Sequence, residues 1–100
     1  MDNYKVKIYP SAKRDLLDVI RYLNQLSPKA ALDYYDKLTE EIAGLSQMPL
    51  RCPVARDEAL AARGYRYLLV GSYVVLYVVV GETVQIRRIL YARSNYAALL

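Results

Sequence analysis

At 100 residues, 55% of them hydrophobic and 24% charged, the chain has room for one domain and enough apolar content to fold it, which excludes a second core and a disordered tail. Its net charge of +4 points to an anionic partner, while the longest apolar run, Leu68 to Val80, is broken at Gly71-Ser72 and falls short of a membrane-spanning helix. With no histidine, four glycines and Cys52 as the lone cysteine, the sequence excludes a zinc cluster, a glycine-rich phosphate loop, a Ser-His-Asp or Cys-His set and an internal disulfide.

Taken in order, Tyr4 to Tyr9 alternates: Val6 and Ile8 share one parity and Lys5, Lys7 and Tyr9 the other, as in a strand with one covered face. Pro10-Ser11 stops it. Ser11 is expected to cap a helix whose apolar positions Ala12, Leu16, Val19, Ile20, Leu23 and Leu26 recur at the helical period, with Lys13, Arg14, Asp18 and Arg21 outward. Ser27-Pro28 caps and opens a second helix, with Ala31, Tyr34, Tyr35, Leu38, Ile42 and Leu45 on its inner stripe and its end bracketed by Gly44 and Pro49. Residues 48–63, with Pro49 and Pro53, read as a connection holding one helical turn.

Three strands follow, Gly64 to Val70, Tyr73 to Val80 and Thr83 to Tyr91. They are joined by Gly71-Ser72 and Gly81-Glu82, glycine-first pairs that fit two-residue type II′ hairpins. Asn95 to Leu100 closes the chain with a short helical turn. The predicted architecture is a single α+β domain over residues 1–100, ordered βααβββ, with a small antiparallel sheet packed under an N-terminal helical hairpin.

Charge is uneven along this order. Residues 1–50 hold seven basic side chains against seven acidic, and residues 51–100 hold seven against three, all seven being arginines. Arginine suits phosphate and carboxylate forks and stacking on aromatic rings, so the partner is an acidic protein segment or a nucleic acid. The last strand, with Val84, Ile86, Ile89 and Leu90 on both parities, reads as a mid-sheet strand. Arg87 and Arg88 interrupt it and must diverge, because successive side chains alternate. Tyr91, Arg93 and Tyr96 gather where it ends, which makes that exit the candidate functional edge.

Each of these residues also has a structural reading. Arg66 pairs with Glu82 or with a helix carboxylate such as Asp15 if it does not meet a partner. One of Arg87 and Arg88 packs its stem against a helix. With eleven tyrosines and no Phe or Trp, Tyr34, Tyr35, Tyr73 and Tyr77 are expected to supply the aromatic packing. Cys52 is read as an incidental loop residue.

Gly64-Tyr65-Arg66 opening the second strand, Gly-Ser-Tyr-x-Val-Leu-Tyr from Gly71 to Tyr77, and Arg-Ile-Leu-Tyr-Ala-Arg-Ser-Asn-Tyr from Arg88 to Tyr96, together with the size and element order, resemble the RelE/ParE superfamily of toxins from type II toxin–antitoxin systems. The resemblance spans nearly the whole chain. It implies a cytoplasmic growth inhibitor of the plasmid-stabilisation kind, neutralised by a cognate antitoxin, with no cofactor, metal, membrane or small-molecule substrate. RelE-like members cut messenger RNA in the ribosomal A site, whereas ParE-like members act on DNA gyrase.

The residues favour the second branch. RNA cleavage through the 2′-hydroxyl needs a base, a cation and an acid. Many RelE-like nucleases carry an arginine directly after the tyrosine that begins the third strand, and here that position is Val74. Where some carry a histidine beside the final tyrosine, this chain reads Ala92-Arg93, and no lysine follows Lys37. For a nuclease the candidate set would be Arg66, Arg88, Tyr91 and Arg93, with Arg87 as a further backbone contact. For a binding toxin, Arg66, Arg87, Tyr91, Arg93 and Tyr96 would meet the partner. The N-terminal Met-Asp-Asn-Tyr-Lys lacks the basic region and apolar core of a signal peptide, in keeping with a cytoplasmic expectation.

Overall fold

The computed structural model describes residues 3–99. Strand β1 (Lys5–Ile8) leads into helices α1 (Pro10–Leu26) and α2 (Pro28–Ala43). Two 3-10 turns, Gly44–Ser46 and Pro49–Arg51, and a short helix α3 (Glu58–Ala62) bring the chain to β2 (Arg66–Val70), β3 (Tyr73–Val80) and β4 (Thr83–Tyr91). A last 3-10 turn covers Tyr96–Leu99; the expected helical turn runs on to Leu100, which lies outside the described residues.

The α+β class and the βααβββ order are as the sequence predicts. β2, β3 and β4 form the expected antiparallel meander, and β1 joins it parallel to β4, giving a mixed sheet of order β1-β4-β3-β2. β4 is therefore an interior strand. Positive φ at Gly71 and Gly81, with none at Ser72 or Glu82, is the backbone of the expected II′ turns.

The helix caps differ in one respect. Ser27 caps α2 as expected, its hydroxyl accepting from Ala30 N–H. At α1, however, Tyr9 is the cap and Pro10 is already helical, because proline's fixed φ and missing N–H suit the first helical position. Ser11 is thus one residue inside the helix. Leu26 and Tyr35, assigned to the inner stripes, are instead 67% and 43% exposed.

The core has two parts. Under the helices, Leu38, Ile42 and Leu45 pack on Val75, Tyr77, Val84, Ile86 and Ile89, where burying each leucine stabilises by about 1.5–3 kcal/mol. On the opposite sheet face, Val74, Leu76 and Val78 pack with Tyr65 and with Ala55 and Leu60 from the connection. Cys52 is buried in the first cluster, so it packs and is not an idle loop residue.

Ile86 and Ile89 both reach the helix-side core because β4 carries a bulge: Leu76 faces Arg88 while Tyr77 faces Ile86, leaving Arg87 as the extra residue. The mixed parity of the apolar positions in β4 thus has two sources, the bulge and the two-sided burial. No helix among the described residues is long and apolar enough to cross a membrane.

Candidate functional site

β4 ends at Tyr91, whose carbonyl accepts from Ser94 N–H at 3.1 Å and from the Ser94 hydroxyl at 2.7 Å, while Ala92 N–H donates to Ser72 at 2.9 Å. These bonds turn the chain back over the end of the β2–β3 hairpin. Tyr91 and Arg93 then line a groove of about 390 Å³ with Leu69, Gly71, Ser72 and Ala92. Tyr96 lines an adjoining hollow of about 180 Å³ with Arg56, Tyr67, Leu69, Val74 and Ala92. Leu69 and Ala92 belong to both, so the two form one concave strip. Leu69, 56% exposed at its centre, was not singled out by the sequence, nor was Arg56.

An aromatic chain backs the groove. Tyr91 meets Tyr73 edge-on at 5.8 Å and Tyr73 meets Tyr34 at 5.6 Å, and the Tyr34 hydroxyl donates to the Val70 carbonyl. Burial pushes the Tyr34 hydroxyl up to about 12, with neighbouring Tyr73 adding to it, and burial also raises Tyr73.

The other predicted residues lie elsewhere, so the six do not form one site. Arg66 pairs with neither Glu82 nor Asp15. Its guanidinium donates to the carbonyls of Cys52 at 2.6 Å and Leu50 at 3.3 Å, pinning the connection to β2 where Val54 bridges Arg66. Arg88 is the partner of Asp15: Nε and Nη2 donate to its carboxylate at 2.7 and 3.1 Å, and this raises the Arg88 pKa.

Arg87 lies on the sheet face away from the helices, 4.9 Å from the Tyr9 ring centre and 6.0 Å from that of Tyr65. Lys7 sits 5.8 Å from the Tyr9 ring and Arg63 5.1 Å from the Tyr65 ring. The result is a five-membered stack, Lys7–Tyr9–Arg87–Tyr65–Arg63. Lys7 and Tyr9 were legible as the outward parity of the segment Tyr4 to Tyr9. Arg63 was not, because its position depends on α3, whose Asp57 cap and Gly64 termination swing it over Tyr65. Gly64, at φ +82, donates to Ala61 while Tyr65 N–H reaches Leu60, the Schellman pattern.

Chemically the strip offers shape, three phenols (Tyr67, Tyr91 and Tyr96) and two guanidiniums (Arg56 and Arg93). Val74, at the position where a nuclease arginine is expected, is 1% exposed and packed among apolar side chains. The tyrosines displaced from their ordinary value, Tyr34, Tyr73 and Tyr77, all move upward, away from service as bases. Among the described residues no group of His, Cys, Asp and Glu could hold a metal ion.

Comparison with known proteins agrees with this geometry. Residues 6–96 match the family described as the ParE toxin of the type II toxin-antitoxin system, parDE. Among solved structures, the chromosomal ParDE toxin–antitoxin system from P. aeruginosa superposes with a TM-score of 0.76 at 22% identity, over 93% of this chain and 100% of that one. The RelBE2 toxin–antitoxin complex from Mycobacterium tuberculosis gives 0.59 at 30% identity, over 89% of this chain and 98% of that one. No curated protein matches the sequence detectably. With the family pattern running through the helical hairpin, the meander and the Tyr91–Tyr96 exit alike, the chain belongs to the ParE toxins of type II toxin–antitoxin systems, within the RelE/ParE superfamily.

Proposed function

We propose that this chain arrests growth by binding DNA gyrase, performing no chemistry of its own, and that a cognate antitoxin holds it inactive in the cytoplasm. The antitoxin's acidic, amphipathic C-terminal segment covers the strip from Leu69 and Tyr91 to Arg93 and Tyr96, its apolar side chains meeting Leu69 and its carboxylates Arg93. The observation that carries the non-catalytic reading is Val74, an apolar residue on the floor of the strip, 1% exposed, where cleavage would need a cation. Arg66 and Arg88, two further members of a nuclease set, are already engaged with backbone carbonyls and with Asp15. Both solved relatives are toxin–antitoxin assemblies by their descriptions, which supports the partner.

The test has two arms. Purified protein is added to a gyrase supercoiling assay, and messenger RNA from cells expressing it is mapped by primer extension. Inhibited supercoiling with intact transcripts is expected. Discrete cleavage within codons would overturn the reading in favour of a ribosome-dependent nuclease, and growth without arrest would leave a toxin fold that only binds antitoxin.

A further inference from the structure

We propose that the Lys7–Tyr9–Arg87–Tyr65–Arg63 stack is a binding surface for the phosphodiester backbone of duplex DNA, separate from the Tyr91–Arg93 groove. The proposal deepens the gyrase reading and rests on it for its setting, since that target works on duplex DNA.

The first argument is uncompensated charge. Three cations are held within about 6 Å of two shared rings. Among the described residues the ion pairs are Arg21–Asp18, Lys29–Asp33 and Arg88–Asp15, and none involves the stack. Arg87 has only a 3.5 Å contact to the Gln85 amide oxygen. Like charges brought together repel, and Lys5, exposed on the same parity of β1, adds to them. An anion removes that repulsion.

The second argument concerns which anion. The guanidiniums lie 4.9 to 6.0 Å from the ring centres, and an arginine fork matches phosphate oxygens two at a time. An acidic amphipathic peptide would also need exposed apolar anchors. The large apolar side chains that remain exposed, such as Leu69 and Tyr91 in the groove and Leu17 and Leu26 on α1, are not part of the stack. Tyr65, only 2% exposed and flanked by two guanidiniums, has no free face on which an unpaired base could stack. Charge without apolar anchors or open rings fits a duplex backbone better than a peptide or a single strand.

Fluorescence anisotropy with the purified chain and a fluorescein-labelled 20-base-pair duplex, in the absence of gyrase, tests this. Binding is expected with Kd on the order of 10⁻⁵ M at low salt, and log K should fall against log salt with a slope of about −2 to −3, as for three cations. Replacing the two exposed ends, K7Q with R63Q, should weaken binding at least tenfold and flatten the slope. The helix-side pair K13Q with K37Q, which removes the same charge, should change it less than twofold. Equal losses from both pairs, absent duplex binding, tighter binding of a single-stranded RNA of equal length, or displacement by an equimolar glutamate-rich peptide would each overturn the proposal. The gyrase reading stands or falls separately: duplex binding without inhibited supercoiling removes that reading and keeps the surface, and the reverse removes the surface alone.

Discussion

Asp15 and Ile89 are joined across the edge of the sheet, the Asp15 carboxylate accepting the Ile89 backbone N–H at 2.9 Å. β1 pairs with β4 only as far as Ile86 and then turns into α1, so β4 beyond that point has lost its neighbouring strand. A carboxylate from α1 stands in for the missing carbonyl, and the same oxygen takes Arg88 Nε. One side chain thus ties the helix to the strand and cancels a half-buried charge.

Asp15→Ala is therefore expected to destabilise by about 2–3 kcal/mol, because it removes the acceptor of a strand N–H and the carboxylate that faces the Arg88 guanidinium. Asp15→Asn, which keeps one acceptor and removes the charge, should cost less. Urea unfolding of the two variants measures the order, and equal stability of Asp15→Ala and wild type would refute the tie.

Gly71 and Gly81 share φ +60, yet a Cβ at Gly71 would lie 3.3 Å from Tyr34 Cε1, while nothing lies within 4 Å at Gly81. Gly81→Ala should cost about 1 kcal/mol for the left-handed backbone alone. Gly71→Ala should cost more, since Tyr34 is fixed by its bond to Val70 and by Tyr73. Thermal melts of both variants give the comparison, and the reverse ranking would show that Tyr34 yields freely.

The pH dependence follows from Tyr34. Its folded pKa of about 12 stands above the ordinary value of 10.0 that an unfolded chain keeps, so the folded state holds its proton longer. The stabilisation is complete below pH 10 and is lost as pH rises towards 12. Urea midpoints should fall across that window, and the fall should be shallower in Tyr34→Phe. Tyr77, also raised by burial, predicts the same sign for Tyr77→Phe.

Arg93→Ala and Leu69→Glu act on exposed side chains that line the groove. Both should melt within a few degrees of wild type. Each should weaken antitoxin binding at least tenfold, about 1.4 kcal/mol, by titration calorimetry. Unchanged affinity in both would move the antitoxin off this strip.

What could be read from the residues was local. The Ser27-Pro28 cap, the two glycine-first turns and the alternation of β1 each depend on neighbours a few positions apart, and each appears in the structure. What escaped was set by distant segments. Arg66 found carbonyls of the 50–52 segment instead of an acid, and Arg88 took the Asp15 that had been considered for Arg66. The six candidate residues then separated because these long-range bonds hold Arg66 and Arg88 and a bulge without a clear period determines where Arg87 lies. Tyr91, Arg93 and Tyr96 stayed together since the chain between them is too short to part them.

The parallel pairing of β1 with β4 has a consequence for synthesis. The first strand of the protein waits without a neighbouring strand until the strand ending in Tyr91 has left the ribosome, and the apolar faces of α1 and α2 wait with it. The strip from Leu69 to Tyr96 is likewise complete only once that strand has docked, so a partner that needs the whole strip finds no finished surface to grip before then.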